Sequence, residues 1–177
     1  MKEIIEKLSS YNVLNYLVPG ALFAILGEQI TAYTFARSDV VTGLILYYFI
    51  GLVISRLGSL LIEPALKKLK FIKFAAYPDY VAASATDAKI DTLSEANNTY
   101  RTLCTLFLSL GLLKVYELLA NRLTWTPVKA LGVFCGVLFL LFLFSYRKQT
   151  NYISQRVKTV NEQTGKEKNR DELPKNG

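Results

Sequence analysis

Four stretches of this chain are almost wholly apolar, and the segments between them are not. The runs cover residues 13–36, 40–62, 102–120 and 127–146. Each is long enough for a helix to cross the roughly 30 Å of hydrocarbon in a bilayer. Two connectors, Arg37-Ser38-Asp39 and Asn121–Thr126, leave no room for an external domain. The connector Glu63–Arg101 is long, and the chain is polar from Arg147 to its end. This pattern predicts an all-α integral membrane protein, a four-helix transmembrane bundle with a cytoplasmic helical extension between spans 2 and 3. Its organisation reads as an N-terminus at 1–12, a hairpin of spans 1 and 2 at 13–62, a platform at 63–101, a second hairpin at 102–146 and a mobile tail at 147–177.

Composition sharpens the class. Hydrophobic residues make up 51% of the 177 positions, gathered into the long runs rather than spread evenly, as in polytopic membrane proteins. The net charge of +7 could serve nucleic acid. The cations, however, flank the apolar runs and populate the tail, so orienting the chain in a membrane accounts for them better. Histidine is absent, which removes the commonest general base and metal ligand together. Cys104 and Cys135 fall inside apolar runs and read as small hydrophobes, not as a disulfide or zinc pair.

Lysine and arginine then set the orientation. One side of the four runs carries Lys2, Lys7, Lys67, Lys68, Lys70, Lys73, Arg101, Arg147 and Lys148; the other carries Arg37, Arg122 and Lys129. The positive-inside rule places both termini and the long connector in the cytoplasm.

Some charges sit within the apolar runs. Arg56 is the one charge between Val40 and Ile62, about 9 Å from the inner boundary. From there its side chain can snorkel to the interface, where Glu63 follows seven residues later on the same helical face. Anchoring and a functional role both remain open for Arg56. Glu28, Lys114 and Glu117 come out deeper, about 18–22 Å above that boundary. Lys114 and Glu117 are spaced to pair on one helix, and Glu28 is level with them on a neighbouring span. Such a cluster reads either as a register-fixing ion pair or as part of a wet path.

Helix packing is written in small residues at four-residue spacing: Gly51, Ser55 and Ser59 in span 2, Gly132 and Gly136 in span 4. A thin four-span unit with such stripes points to a homo-oligomer. After Pro64, the segment Ala65–Ala76 interleaves Lys67, Lys68, Lys70 and Lys73 with apolar side chains, as expected of a helix lying on anionic lipid. Pro78-Asp79 is expected to break that helix. From Asp87, the steps Ile90, Leu93, Asn97, Tyr100 and Cys104 make a heptad-like seam on one helix entering span 3, suited to a partner or to self-association. Pro19, early in span 1, predicts either a kink or a segment Tyr11–Val18 lying along the interface.

No nucleophile elbow, Walker loop or metal-ligand cluster is present, so the chain reads as a non-enzyme without a cofactor. The stretches YNVLNYLVPGALF, YFIGLVISRLGSLLIEP and LSEANNTYRTL together resemble a group of small bacterial membrane proteins found near mobile elements and phage-defence genes. That resemblance implies the bacterial inner membrane and raises a defence role. Two functions compete: a membrane anchor or sensor that binds a soluble cytoplasmic partner through the 63–101 platform, and an oligomeric effector that permeabilises the membrane. A membrane-embedded lipid-modifying enzyme is a remote third.

Overall fold

A computed structural model describes residues 12–35, 37–120 and 126–171. Lys2, Lys7 and Arg122, counted above for orientation, lie outside them. Helices account for the regular structure of the described residues: α1 (Val13–Ile30), α2 (Val40–Lys68), α3 (Tyr77–Thr86), α4 (Lys89–Ala120) and α5 (Pro127–Asp171). Four of these, α1, α2, α4 and α5, are long and apolar enough to cross a membrane.

The two prolines inside the apolar helices are each accommodated by a widened turn. A proline has no amide to give the carbonyl four residues back, so a regular α-turn fails there. Each site is preceded by a five-residue π-turn, Val13–Leu17 before Pro19 and Gly58–Ile62 before Pro64. The wide turns close with Val18 N–H donating to Val13 O and Glu63 N–H to Gly58 O. Val13–Leu17 is helical and runs without a break into the rest of α1.

α1 and α2 form an antiparallel hairpin in backbone contact. A Cβ on Gly20 would fall 1.7 Å from Tyr47 O, and one on Gly51 would fall 1.8 Å from Tyr16 O. Only glycine fits at either place. α4 packs antiparallel to α2, with Gly58 against Thr105. Ile54, Leu106 and Leu110 form the buried apolar cluster between them, flanked by Phe23 and Leu26 from α1. α5 lies to the side, against α2, with Phe49 and Phe142 in ring contact.

Three expectations change. The first apolar run ends as helix at Ile30, not at 36, because Thr31 turns extended and residues beyond it are held by side chains described below. The lysine-rich segment is helical only to Lys68. There Lys70 N–H donates to Lys67 O and Phe71 N–H to Leu66 O, with Lys70 itself left-handed at φ 59°. That is a Schellman closure with lysine in the place glycine usually takes. Pro78, expected to break a helix, instead sits in the first turn of α3, where its missing amide costs nothing. The described part of the polar tail, to Asp171, is helical. α5 runs 45 residues, about 67 Å, so it extends well past a bilayer's thickness as one continuous helix. α4 does the same at its start, as the seam predicts, with Asp87 Oδ1 accepting from Lys89 N–H at 2.9 Å.

Candidate functional site

The polar side chains inside these helices collect at three levels. The deepest is a buried node. Thr102 Oγ1 of α4 donates to Asn15 Oδ1 of α1 at 2.8 Å, and Asn15 Nδ2 donates to Ser55 Oγ of α2 at 3.3 Å. Asn15 is 1% exposed, Ser55 2% and Thr102 0%. Asn15 is turned inward by the π-turn that Pro19 imposes, so the proline and the node are one device. A satisfied amide–hydroxyl node of this kind pins the mutual register of three helices. Nearby, Arg56 Nη2 donates to Tyr16 Oη at 3.1 Å.

The second level is centred on Glu63, at the base of the apolar part of α2. Its buried carboxylate meets Arg101 Nη1 of α4 at 2.7 Å, Lys67 Nζ of its own helix at 2.9 Å and Lys148 Nζ of α5 at 3.6 Å. Lys148 also donates to Ser59 O at 2.6 Å and to Ser59 Oγ at 2.8 Å. Arg101 Nε is buried without a hydrogen-bond partner among the described residues. One anion thus gathers cations from three helices, and Coulomb attraction among partly desolvated groups makes the junction directional. Aromatic rings extend it: Lys67 lies 4.1 Å from the Phe74 ring centroid, Lys148 lies 5.6 Å from that of Tyr152, and Tyr152 stacks on Tyr77 of α3 at 6.2 Å.

The third level is at the opposite end of the helices. Lys114 Nζ pairs with Glu117 Oε2 at 2.6 Å, and Glu117 Oε1 accepts from Ala32 N–H at 2.6 Å. Glu28 Oε1 accepts from Phe35 N–H. Both carboxylates therefore hold the loop after α1. The tyrosine in that loop, Tyr33, sits beside Tyr116 and Glu117, and burial with these neighbours raises its pKa. Asp39 closes the loop by accepting from Thr42 N–H at 2.7 Å, capping α2.

The residues singled out from sequence divide accordingly. Lys114 and Glu117 pair as expected, and Glu28 holds the same loop by accepting from Phe35 N–H. Arg56 and Glu63 do not meet: Arg56 turns to Tyr16, and Glu63 is taken by Lys67, Arg101 and Lys148. Lys68, Lys70 and Lys73 are exposed beside the exposed rings of Phe71 and Phe74. Gly51 and Ser55 lie in helix contacts and Ser59 holds Lys148, but a Cβ on Gly132 or Gly136 would meet nothing within 4 Å. These two do not mediate packing among the described residues. On the seam, Leu93 and Tyr100 are each 68% exposed, Asn97 is exposed and Ile90 is half-buried. Sequence reasoning missed the Asn15–Ser55–Thr102 node and the roles of Arg101 and Lys148. The available signal was a single amide side chain, Asn15, set inside an apolar run.

Comparison with protein families, with curated proteins and with solved structures finds no match for this chain.

Proposed function

We propose that this chain is a non-enzymatic four-span protein of the bacterial inner membrane, with both termini cytoplasmic, that anchors or senses for a multiprotein system through its cytoplasmic helices. One observation carries the reading: α4 and α5 both continue as helix beyond their apolar parts, and Leu93 and Tyr100 on α4 stay open to contact. The short α3 ties these extensions together. Val81 is buried there, Tyr80 Oη donates to Asp91 at 3.2 Å, and Tyr77 stacks on Tyr152. The Glu63 cluster joins this platform to the apolar helices, so a pull on the platform is transmitted to α2, α4 and α5. The exposed strip Leu69–Phe74, with Lys68, Lys70 and Lys73, suits the surface of an anionic leaflet.

Self-association is part of the proposal. α5 is the least covered of the four long helices, and Gly132 and Gly136 face outward on it. The resemblance to bacterial defence-associated membrane proteins gives the system its setting, protection against phage. The permeabilising alternative rested on Glu28, Lys114 and Glu117; the engagement of both carboxylates with loop amides, and of Lys114 with Glu117, favours a structural role for them over a wet path.

Mild detergent extraction followed by native mass measurement tests the reading. A defined complex of several copies, or of this chain with a soluble protein, is expected for the wild type, and dissociation is expected for Leu93→Lys/Tyr100→Glu. A monomer without partner, unchanged by the double substitution, overturns it.

A further inference from the structure

Between α2 and α5 runs a groove of about 420 Å³ that no side chain of the described residues fills. That is the size of a small-molecule site, roughly 300–1,000 Å³. Its walls are apolar: Leu57, Leu60 and Leu61 from α2, Val137, Leu141 and Phe144 from α5. Its mouth is not, being made by Arg147, Lys148 and Asn151. From Val137 to Arg147 is ten residues of helix, about 15 Å. That is half of the roughly 30 Å of bilayer hydrocarbon, so the groove is one leaflet deep.

We propose that this groove binds one anionic phospholipid, an acyl chain lying against Leu57, Leu61 and Leu141 and the phosphate at Arg147. The charge at the mouth selects the ligand. Lys67, Arg101 and Lys148 surround the single carboxylate of Glu63, and Arg147 adds a fourth cation that makes no ion pair or hydrogen bond among the described residues. Lys148 is held in place by Ser59 and Glu63, while the Arg147 guanidinium is exposed and can present two donors to one phosphate. Asn151 follows Arg147 by four residues, on the same helical face, as a neutral second donor. A zwitterionic lipid would bring its own cation into this excess of positive charge. An apolar wall one leaflet long with an exposed arginine at the level where the apolar run ends matches a lipid and its headgroup together.

The inference rests on the membrane reading, and the two can fail separately. The chain is first floated with vesicles of phosphatidylcholine alone; failure to float would refute membrane residence itself. The chain is then reconstituted into mixed phosphatidylcholine and phosphatidylglycerol vesicles and extracted, and retained lipid is measured by native mass spectrometry. The wild type is expected to keep one phosphatidylglycerol per chain, preferred at least fivefold over phosphatidylcholine, as one surface cation predicts. Arg147→Gln is expected to abolish the preference, and Leu61→Trp, at an exposed position of the wall, to abolish retention by filling the groove. Lys158→Gln, an exposed cation farther along α5, is expected to change neither. Equal retention of both lipids, or a preference untouched by Arg147→Gln, overturns the proposal. So does a groove occupied by a protein segment instead of lipid, seen as a protein adduct of constant mass.

Discussion

Arg101 and Glu63, separated by 38 positions, meet at 2.7 Å and tie the start of α4's apolar part to the end of α2's. Since Lys148 of α5 reaches the same carboxylate, Glu63 is the residue whose loss frees the most charge. Glu63→Gln leaves Lys67, Arg101 and Lys148 without their anion. Breaking a buried pair by removing one partner costs about 3–5 kcal/mol. The variant is expected to unfold earlier in a thermal scan of the purified protein, while Arg56→Gln, which removes a single hydrogen bond to Tyr16, is expected to shift it far less. Equal shifts would contradict the hub.

The buried node gives a gentler test. Thr102→Val keeps shape but removes the buried hydroxyl that donates to Asn15 Oδ1. About 1–2 kcal/mol is the expected cost, in the range measured for hydrogen bonds between membrane helices. Reversible unfolding in mixed micelles reads it; a variant as stable as wild type would show that Asn15 finds another partner.

Two glycines should behave in opposite ways. Gly51→Ala drives a methyl into Tyr16 O and forces α1 away from α2, so it is expected to lower stability by more than 1 kcal/mol. Gly136→Ala meets nothing among the described residues and is expected to change monomer stability by less than about 0.5 kcal/mol. If Gly136→Ala instead lowers the mass of the extracted complex, the outward face of α5 is the contact between copies.

At the loop end, the question is whether Glu117 acts by charge or by accepting a hydrogen bond. Glu117→Gln keeps an oxygen for Ala32 N–H and loses only the Lys114 ion pair, so amide exchange at Ala32 is expected to stay slow. Glu117→Leu is expected to speed exchange there and to leave Phe35, held by Glu28, less affected. Fast exchange in both variants would assign the loop to the ion pair.

Much of this architecture is legible in the sequence because it depends on one dimension. Four apolar runs follow from hydropathy, and the Lys114–Glu117 pair follows from spacing on a single helix. The continuation of the 87–101 seam into α4 follows from an unbroken period. What resisted is whatever depends on two helices at once. Arg56 and Glu63 share a face, yet each finds a better partner on another helix, Tyr16 and Arg101, which no spacing rule reveals. The end of α2 was hidden for a different reason: a left-handed lysine at Lys70 does what glycine usually advertises. Pro19 was ambiguous because a π-turn and an interfacial break begin with the same residues.

The central claim is that α3 and the extensions of α4 and α5 stand on the cytoplasmic side of four spans. Thiol labelling tests it most directly, in a Cys104→Ser/Cys135→Ser background carrying Ser38→Cys or Ala85→Cys, both exposed positions. A membrane-impermeant maleimide added to cells whose outer barrier alone has been opened is expected to label position 38 and to reach position 85 only after the inner membrane is dissolved. Labelling at 85 before dissolution, or protection at 38, would contradict the account.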